Sequence, residues 1–131
     1  MDVQGFHHLA IQVHDVERVT RFYREVLGFS ELQRYHRPDG SLRSIWVQVP
    51  GGGFLALEAV SEPPAPAPFR HERPGLFLLA LRIPARARAD VVATLARAGV
   101  AVEHETRWTV YVRDPEGNRV ALSHHPEDPV G

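Results

Sequence analysis

The chain has 131 residues, of which 44% are hydrophobic and 24% charged, with a formal net charge of -1 and no cysteine. That length fits one domain or two small modules sharing a core, and the missing cysteines exclude a disulfide framework and thiolate chemistry. A charge so near zero recruits neither nucleic acid nor anionic membrane. No apolar run approaches the roughly 20 residues that span a bilayer. The start, Met1-Asp2-Val3-Gln4-Gly5, lacks a basic-then-apolar leader, so a cytoplasmic location is expected. All 15 cationic residues are arginine, a bias too uniform to be a recognition choice.

Residues Phe6 to Val13 alternate, with Leu9, Ile11 and Val13 on one side and His8, Ala10 and Gln12 on the other, which predicts a strand. Asp15 then caps a helix running to about Leu27, whose buried stripe is Val16, Val19, Phe22, Tyr23 and Val26, and Gly28 closes it. Strands follow at Glu31 to His36, Leu42 to Val49 and Phe54 to Ala59, joined by turns at Pro38-Asp39-Gly40 and Gly51-Gly52-Gly53. The stretch Glu62 to Pro74 carries Pro63, Pro64, Pro66, Pro68 and Pro74 and reads as a stiff linker.

After it the order repeats. Leu76 to Ile83 is an apolar strand, Ala87 to Ala98 a helix closed by Gly99, and strands fit Ala101 to Glu105, Thr109 to Arg113 and Arg119 to His124. Asp114-Pro115-Glu116-Gly117-Asn118 reads as a tight turn, with Gly117 at positive φ. The tail after His125 is expected to be loose. The chain is thus α+β, one domain of two tandem β-α-β-β-β modules, 5–60 and 75–125, around a linker at 61–74. Three consecutive strands after each helix argue against a ferredoxin-like alternative.

Strand parity sorts the faces. Leu9/Ile11/Val13, Ile45/Val47/Val49, Leu55/Leu57, Phe77/Leu79/Leu81/Ile83, Val110/Val112 and Val120/Leu122 are expected against the helices. The opposite face then holds Gln12, Ser44, Trp46, Gln48, Phe54, Leu76, Ala80, Arg82, Thr109, Tyr111, Arg113, Arg119 and Ser123. Such a surface suits a planar or aromatic ligand with an anionic or polar group.

Three segments resemble the vicinal-oxygen-chelate superfamily of glyoxalases, bleomycin-binding proteins and extradiol dioxygenases. They are His8-Leu9-Ala10-Ile11-Gln12-Val13 with Asp15, Phe22-Tyr23 and Leu27-Gly28-Phe29; Phe54-Leu55-Ala56-Leu57-Glu58; and Tyr111-Val112-Arg113-Asp114-Pro115-Glu116-Gly117-Asn118-Arg119-Val120. The resemblance implies a curled mixed sheet around a cup-shaped cavity. It also implies a divalent metal held by a first-strand and a last-strand ligand from each module, open to two substrate oxygens.

Carried over residue by residue, the resemblance assigns the four ligand positions to His8, Glu58, Leu78 and Ala121. Leu and Ala donate nothing to a metal, and two ligands hold one poorly. Pairing module one with module one of a second copy would collect two His and two Glu; an added ligand from His104, His124 or His125 is the other route to a metal. Without one, His8 and Glu58 read as a hydrogen-bonded structural pair or as a general acid/base pair. His7, His14, His36 and His71 read as surface residues.

The expectation is a homodimer with no tightly bound cofactor, binding a small organic molecule through Gln12, Trp46, Gln48, Leu78, Arg82, Tyr111 and Ala121. The alternative is a lyase, isomerase or dioxygenase using a metal or the His8/Glu58 pair. A role through protein contacts alone has no specific support in the sequence.

Overall fold

A computed structural model describes residues 1–64 and 74–130. The chain divides into two compact units, one ending at Pro64 and one beginning at Ala65. The greater part of the proline-rich linker, with His71, lies outside the described residues.

In unit one, β1 (His8–Val13) leaves His8, Ala10 and Gln12 exposed and buries Val13. Asp15 caps α1 (Val16–Arg21) as expected: its carboxylate accepts the Arg18 N–H at 3.1 Å. Where a plain α-helix to Leu27 was expected, α1 passes into a π-helical turn, Phe22–Val26, in which Leu27 N–H donates to the Phe22 carbonyl at 3.3 Å. The wider turn keeps the adjacent Phe22 and Tyr23 both buried, their rings edge-on at 5.1 Å. Gly28, at φ +79°, ends it, and Phe29 N–H returns to the Tyr23 carbonyl at 2.9 Å.

Then come β2 (Ser30–His36), β3 (Leu42–Gln48) and β4 (Phe54–Ala59), in sheet order β1-β4-β3-β2 with β1 parallel to β4. The core of the unit includes Val13, Val19, Tyr23, Ile45, Val47, Leu55 and Leu57, all essentially without solvent contact. On the same side Arg34 of β2 bonds both Glu31 and, on α1, Glu17. Its guanidinium holds the Glu31 carboxyl below the usual carboxylate range, with Arg24 adding to the effect.

Unit two repeats the plan. Its first strand is shorter than the sequence suggested, β5 (Leu79–Arg82), because Leu76 and Phe77 stand 79% and 51% exposed ahead of it. Alternation does not govern residues outside the ladder, so Phe77, expected under the helix, turns its ring to the Arg119 guanidinium instead. A 3-10 turn at Ala85–Ala87 leads into α2 (Arg88–Arg97). The remaining strands are β6 (His104–Glu105), shorter than expected, β7 (Thr109–Arg113) and β8 (Arg119–Ser123). The order β5-β8-β7-β6, with β5 parallel to β8, matches that of unit one. The fold is α+β, in two tandem β-α-β-β-β modules.

The turn between β7 and β8 forms as read from the sequence. Asp114 Oδ1 accepts the N–H groups of Glu116 and Asn118, Oδ2 accepts Asn118 Nδ2, and Gly117 sits at φ +86°. The tail, expected loose, is pinned. The Glu127 carboxylate accepts the Ala85 N–H at 2.8 Å, Arg107 pairs with Asp128 at 2.6 Å, and His124 is buried with Nδ1 donating to the Glu127 carbonyl at 2.7 Å. Among the described residues no helix is long and apolar enough to cross a membrane.

Candidate functional site

Each sheet has one face under its helix and one face away from it, and pairing register resolves the second face into rows. In unit one the first row is His8 of β1, Phe54 of β4 and Gln48 of β3. The second is Ala10, Ala56, Trp46 and, on β2, Gln33. The third is Gln12, Glu58, Ser44 and Tyr35. Neighbouring strands lie about 4.8 Å apart, so each row crosses its sheet as a continuous line of side chains.

Aromatic rings join these rows into a ladder. His8 stacks on Phe54 at 4.8 Å and 6°, Phe54 on Trp46 at 4.4 Å and 24°, and Trp46 meets Tyr35 at 4.9 Å. These are separations at which rings attract beyond simple burial.

Unit two has the same middle row, Ala80 beside Ala121 beside Tyr111, followed by His104 on β6. Its other rows are Arg119 with Arg113, and Arg82 with Ser123 and Thr109. Here a cation replaces a ring in the ladder: the Arg119 guanidinium lies 4.4 Å from the Tyr111 ring centre and 5.3 Å from that of Phe77, and Tyr111 meets His104 at 5.6 Å.

Of the ligand residues read from sequence, Gln12, Trp46, Arg82, Tyr111 and Ala121 lie on these faces. Gln48 does too, but its amide donates to the Gly53 carbonyl at 3.1 Å and closes the β3–β4 turn. Leu78 precedes β5 rather than lying in it.

The structure does not bring His8 and Glu58 together. They share a face, but His8 lies opposite Phe54 and Glu58 opposite Gln12, four residues or about 13 Å further along the strand. The hydrogen-bonded pair and the acid/base pair expected from sequence are therefore corrected: His8 Nδ1 lies 2.8 Å from His7 Nδ1, and its ring packs on Phe54.

The register also revises the last-strand ligand position. Ala121 lies opposite Ala80, two residues past Leu78, and beside Tyr111. Its counterpart in unit one, two residues past His8 and beside Trp46, is Ala56 and not Glu58. The repeated pattern Phe54-Leu55-Ala56-Leu57-Glu58 and Arg119-Val120-Ala121-Leu122-Ser123 carried that equivalence already. The last-strand position that the resemblance assigns thus falls on Ala56 in unit one and on Ala121 in unit two, and in neither unit does an alkyl side chain there donate to a divalent ion.

Sequence reasoning passed over Ala56, Gln33 and Tyr35 as site residues. Alanine carries no chemical signature, and the two strand residues on β2 are set by a register shift between Glu31 and Gln33.

Residues 5–122 match the Glyoxalase/Bleomycin resistance protein/Dioxygenase superfamily. Virulence protein STM3117 of Salmonella typhimurium is 27% identical over 135 residues, covering 95% of this chain and 87% of that one. The crystal structure of TnmS3, an antibiotic binding protein from Streptomyces sp. CB03234, is similar at a TM-score of 0.70 and 27% identity, covering 95% of this chain and 98% of that one. A glyoxalase/dioxygenase from Nostoc punctiforme shares the fold at a TM-score of 0.75 and 24% identity, over 95% and 92% of the two chains. A match that runs through both modules, on a fold with the strand order repeated in each, places the chain in the Glyoxalase/Bleomycin resistance protein/Dioxygenase superfamily.

Proposed function

We propose that this protein binds a small, flat organic molecule on the sheet faces turned away from the helices, without a resident metal. The observation that carries this reading is the repeated middle row: Ala10–Ala56–Trp46 in one unit and Ala80–Ala121–Tyr111 in the other. Ala10 and Ala80 are exposed and Ala56 and Ala121 buried beside them, so no side chain longer than a methyl group stands on this shelf, and the neighbouring ring is a face for stacking. A carboxylate at position 56 or 121 would fill that shelf with a charged group. The likeness to an antibiotic binding protein supports a sequestering role over a catalytic one.

The test is ligand capture. Native mass spectrometry of purified protein should show a bound organic mass or binding of planar aromatic probes, with metal well below one equivalent after dialysis. Ala56→Leu, which fills the shelf, should weaken probe binding roughly tenfold, about 1.4 kcal/mol, with folding checked by its melting curve. Stoichiometric metal lost on His8→Ala would defeat the reading.

We further propose that two copies associate. Each four-stranded sheet has an edge strand at either end, and Phe6, Leu32 and Leu76 are large apolar side chains left exposed. Light scattering should give twice the chain mass; a monomer at working concentration argues against it.

A further inference from the structure

We infer that the ligand carries a protonated amine, or an equivalent cationic donor, and that the third row of unit one receives it. This rests on the small-molecule reading above and sharpens it. Gln12, Glu58 and Ser44 lie side by side across β1, β4 and β3, one row beyond the alanine shelf. Ser44 is 1% exposed and its hydroxyl has no hydrogen-bond partner among the described residues; the indole N–H of Trp46 in the adjoining row also lacks one, and as a donor it calls for an acceptor elsewhere on the ligand rather than for the amine. A polar group buried without a partner costs stability and is retained where something else supplies the bond.

Glu58, half-buried beside Ser44, accepts from nothing among the described residues. An ionised carboxylate is acceptor-only. With Gln12 and Ser44 each able to accept as well, the row is rich in acceptors and has one fixed negative charge. A flat molecule lying on the exposed Ala10 beside the Trp46 ring would bring a substituent at its end to this row. The group that satisfies it is a donor-rich cation.

The arginines of unit two do not argue the opposite with equal force. Arg113 spends its guanidinium on Glu103 and the Gly117 carbonyl, and Arg119 is clasped by two rings. Arg82 is exposed, where water solvates a charge without cost.

The experiment compares three probes of one shape, aminomethylanthracene, anthracenemethanol and anthracenecarboxylate, by fluorescence titration at neutral pH and moderate salt. The ammonium probe should bind roughly tenfold tighter than the carboxylate, the scale of one charge-assisted hydrogen bond. Glu58→Gln, nearly isosteric, should reduce that preference to about twofold or less while leaving the alcohol's affinity unchanged. Ser44→Ala should weaken the ammonium and alcohol probes alike. Equal binding of all three probes, still lost on Ala56→Leu, would sink the amine inference and leave the small-molecule reading standing. Tightest binding of the carboxylate would overturn it in favour of Arg82. Binding of none of them would remove both.

Discussion

The two modules share a strand order and an alanine–alanine–aromatic row, yet they are held together differently. Module one fixes its helix by apolar burial: Val16, Val19, Phe22 and Tyr23 are all buried. Module two buries only Leu95 from α2 and ties the helix start instead by polar bonds, with Arg88 reaching the Arg107 and Thr106 carbonyls and the Glu105 carboxylate. The sheet faces away from the helices differ in the same spirit. One carries a ring ladder with a single carboxylate, Glu58; the other carries Arg82, Arg113 and Arg119. A duplicated backbone therefore leaves the side chains of each half free to diverge.

The sharpest test of that contrast is in the cores. Tyr23→Ala should cost about 3–5 kcal/mol in chemical denaturation, as large aromatic deletions do, whereas Val92→Ala on half-buried α2 should cost about 1 kcal/mol or less. Equal losses would erase the distinction.

The β-turns come next. Asp114→Ala strips three hydrogen bonds from the β7–β8 turn of module two and should cost about 2–3 kcal/mol. The corresponding turn of module one relies on glycine: Gly53 sits at φ +76°, and a Cβ there would meet the His7 carbonyl oxygen at 3.1 Å. Gly53→Ala should cost about 1–2 kcal/mol. If the order reverses, backbone conformation rather than side-chain bonding governs both turns.

Among ligand effects, Trp46→Ala should weaken binding of a planar probe about tenfold and Tyr111→Ala about threefold. The reason is that Arg119 already occupies a face of Tyr111. A larger loss at Tyr111 would move the stacking site to module two.

The smallest effect is electrostatic. Because Arg34 depresses the Glu31 carboxyl in the folded chain, its contribution is complete above the unfolded carboxylate value. It is lost as pH falls through the lower, folded one. Glu31→Gln should cost under about 1 kcal/mol at neutral pH and should flatten the fall in melting temperature on acidification below that range. An unchanged acid slope would show that the partly exposed pair is screened.

Much of this architecture was legible from residue order alone. Period-two alternation in His8–Val13, the Asp15 cap and the Asp114–Asn118 turn are local: each depends on residues a few positions apart, and each appears where expected. The resemblance and the repeated strand order were legible for the same reason, since every unit of the pattern is short. Pairing register was not. Which residue of β4 lies opposite His8 depends on how two strands 46 positions apart slide past each other, and a shift of two residues keeps every side chain on the same face. Parity was therefore satisfied by Glu58 and by Ala56 alike, and only the ladder, through Ala10 opposite Ala56 and Gln12 opposite Glu58, decided that the carboxylate stands beyond the last-strand position that the resemblance assigns rather than in it.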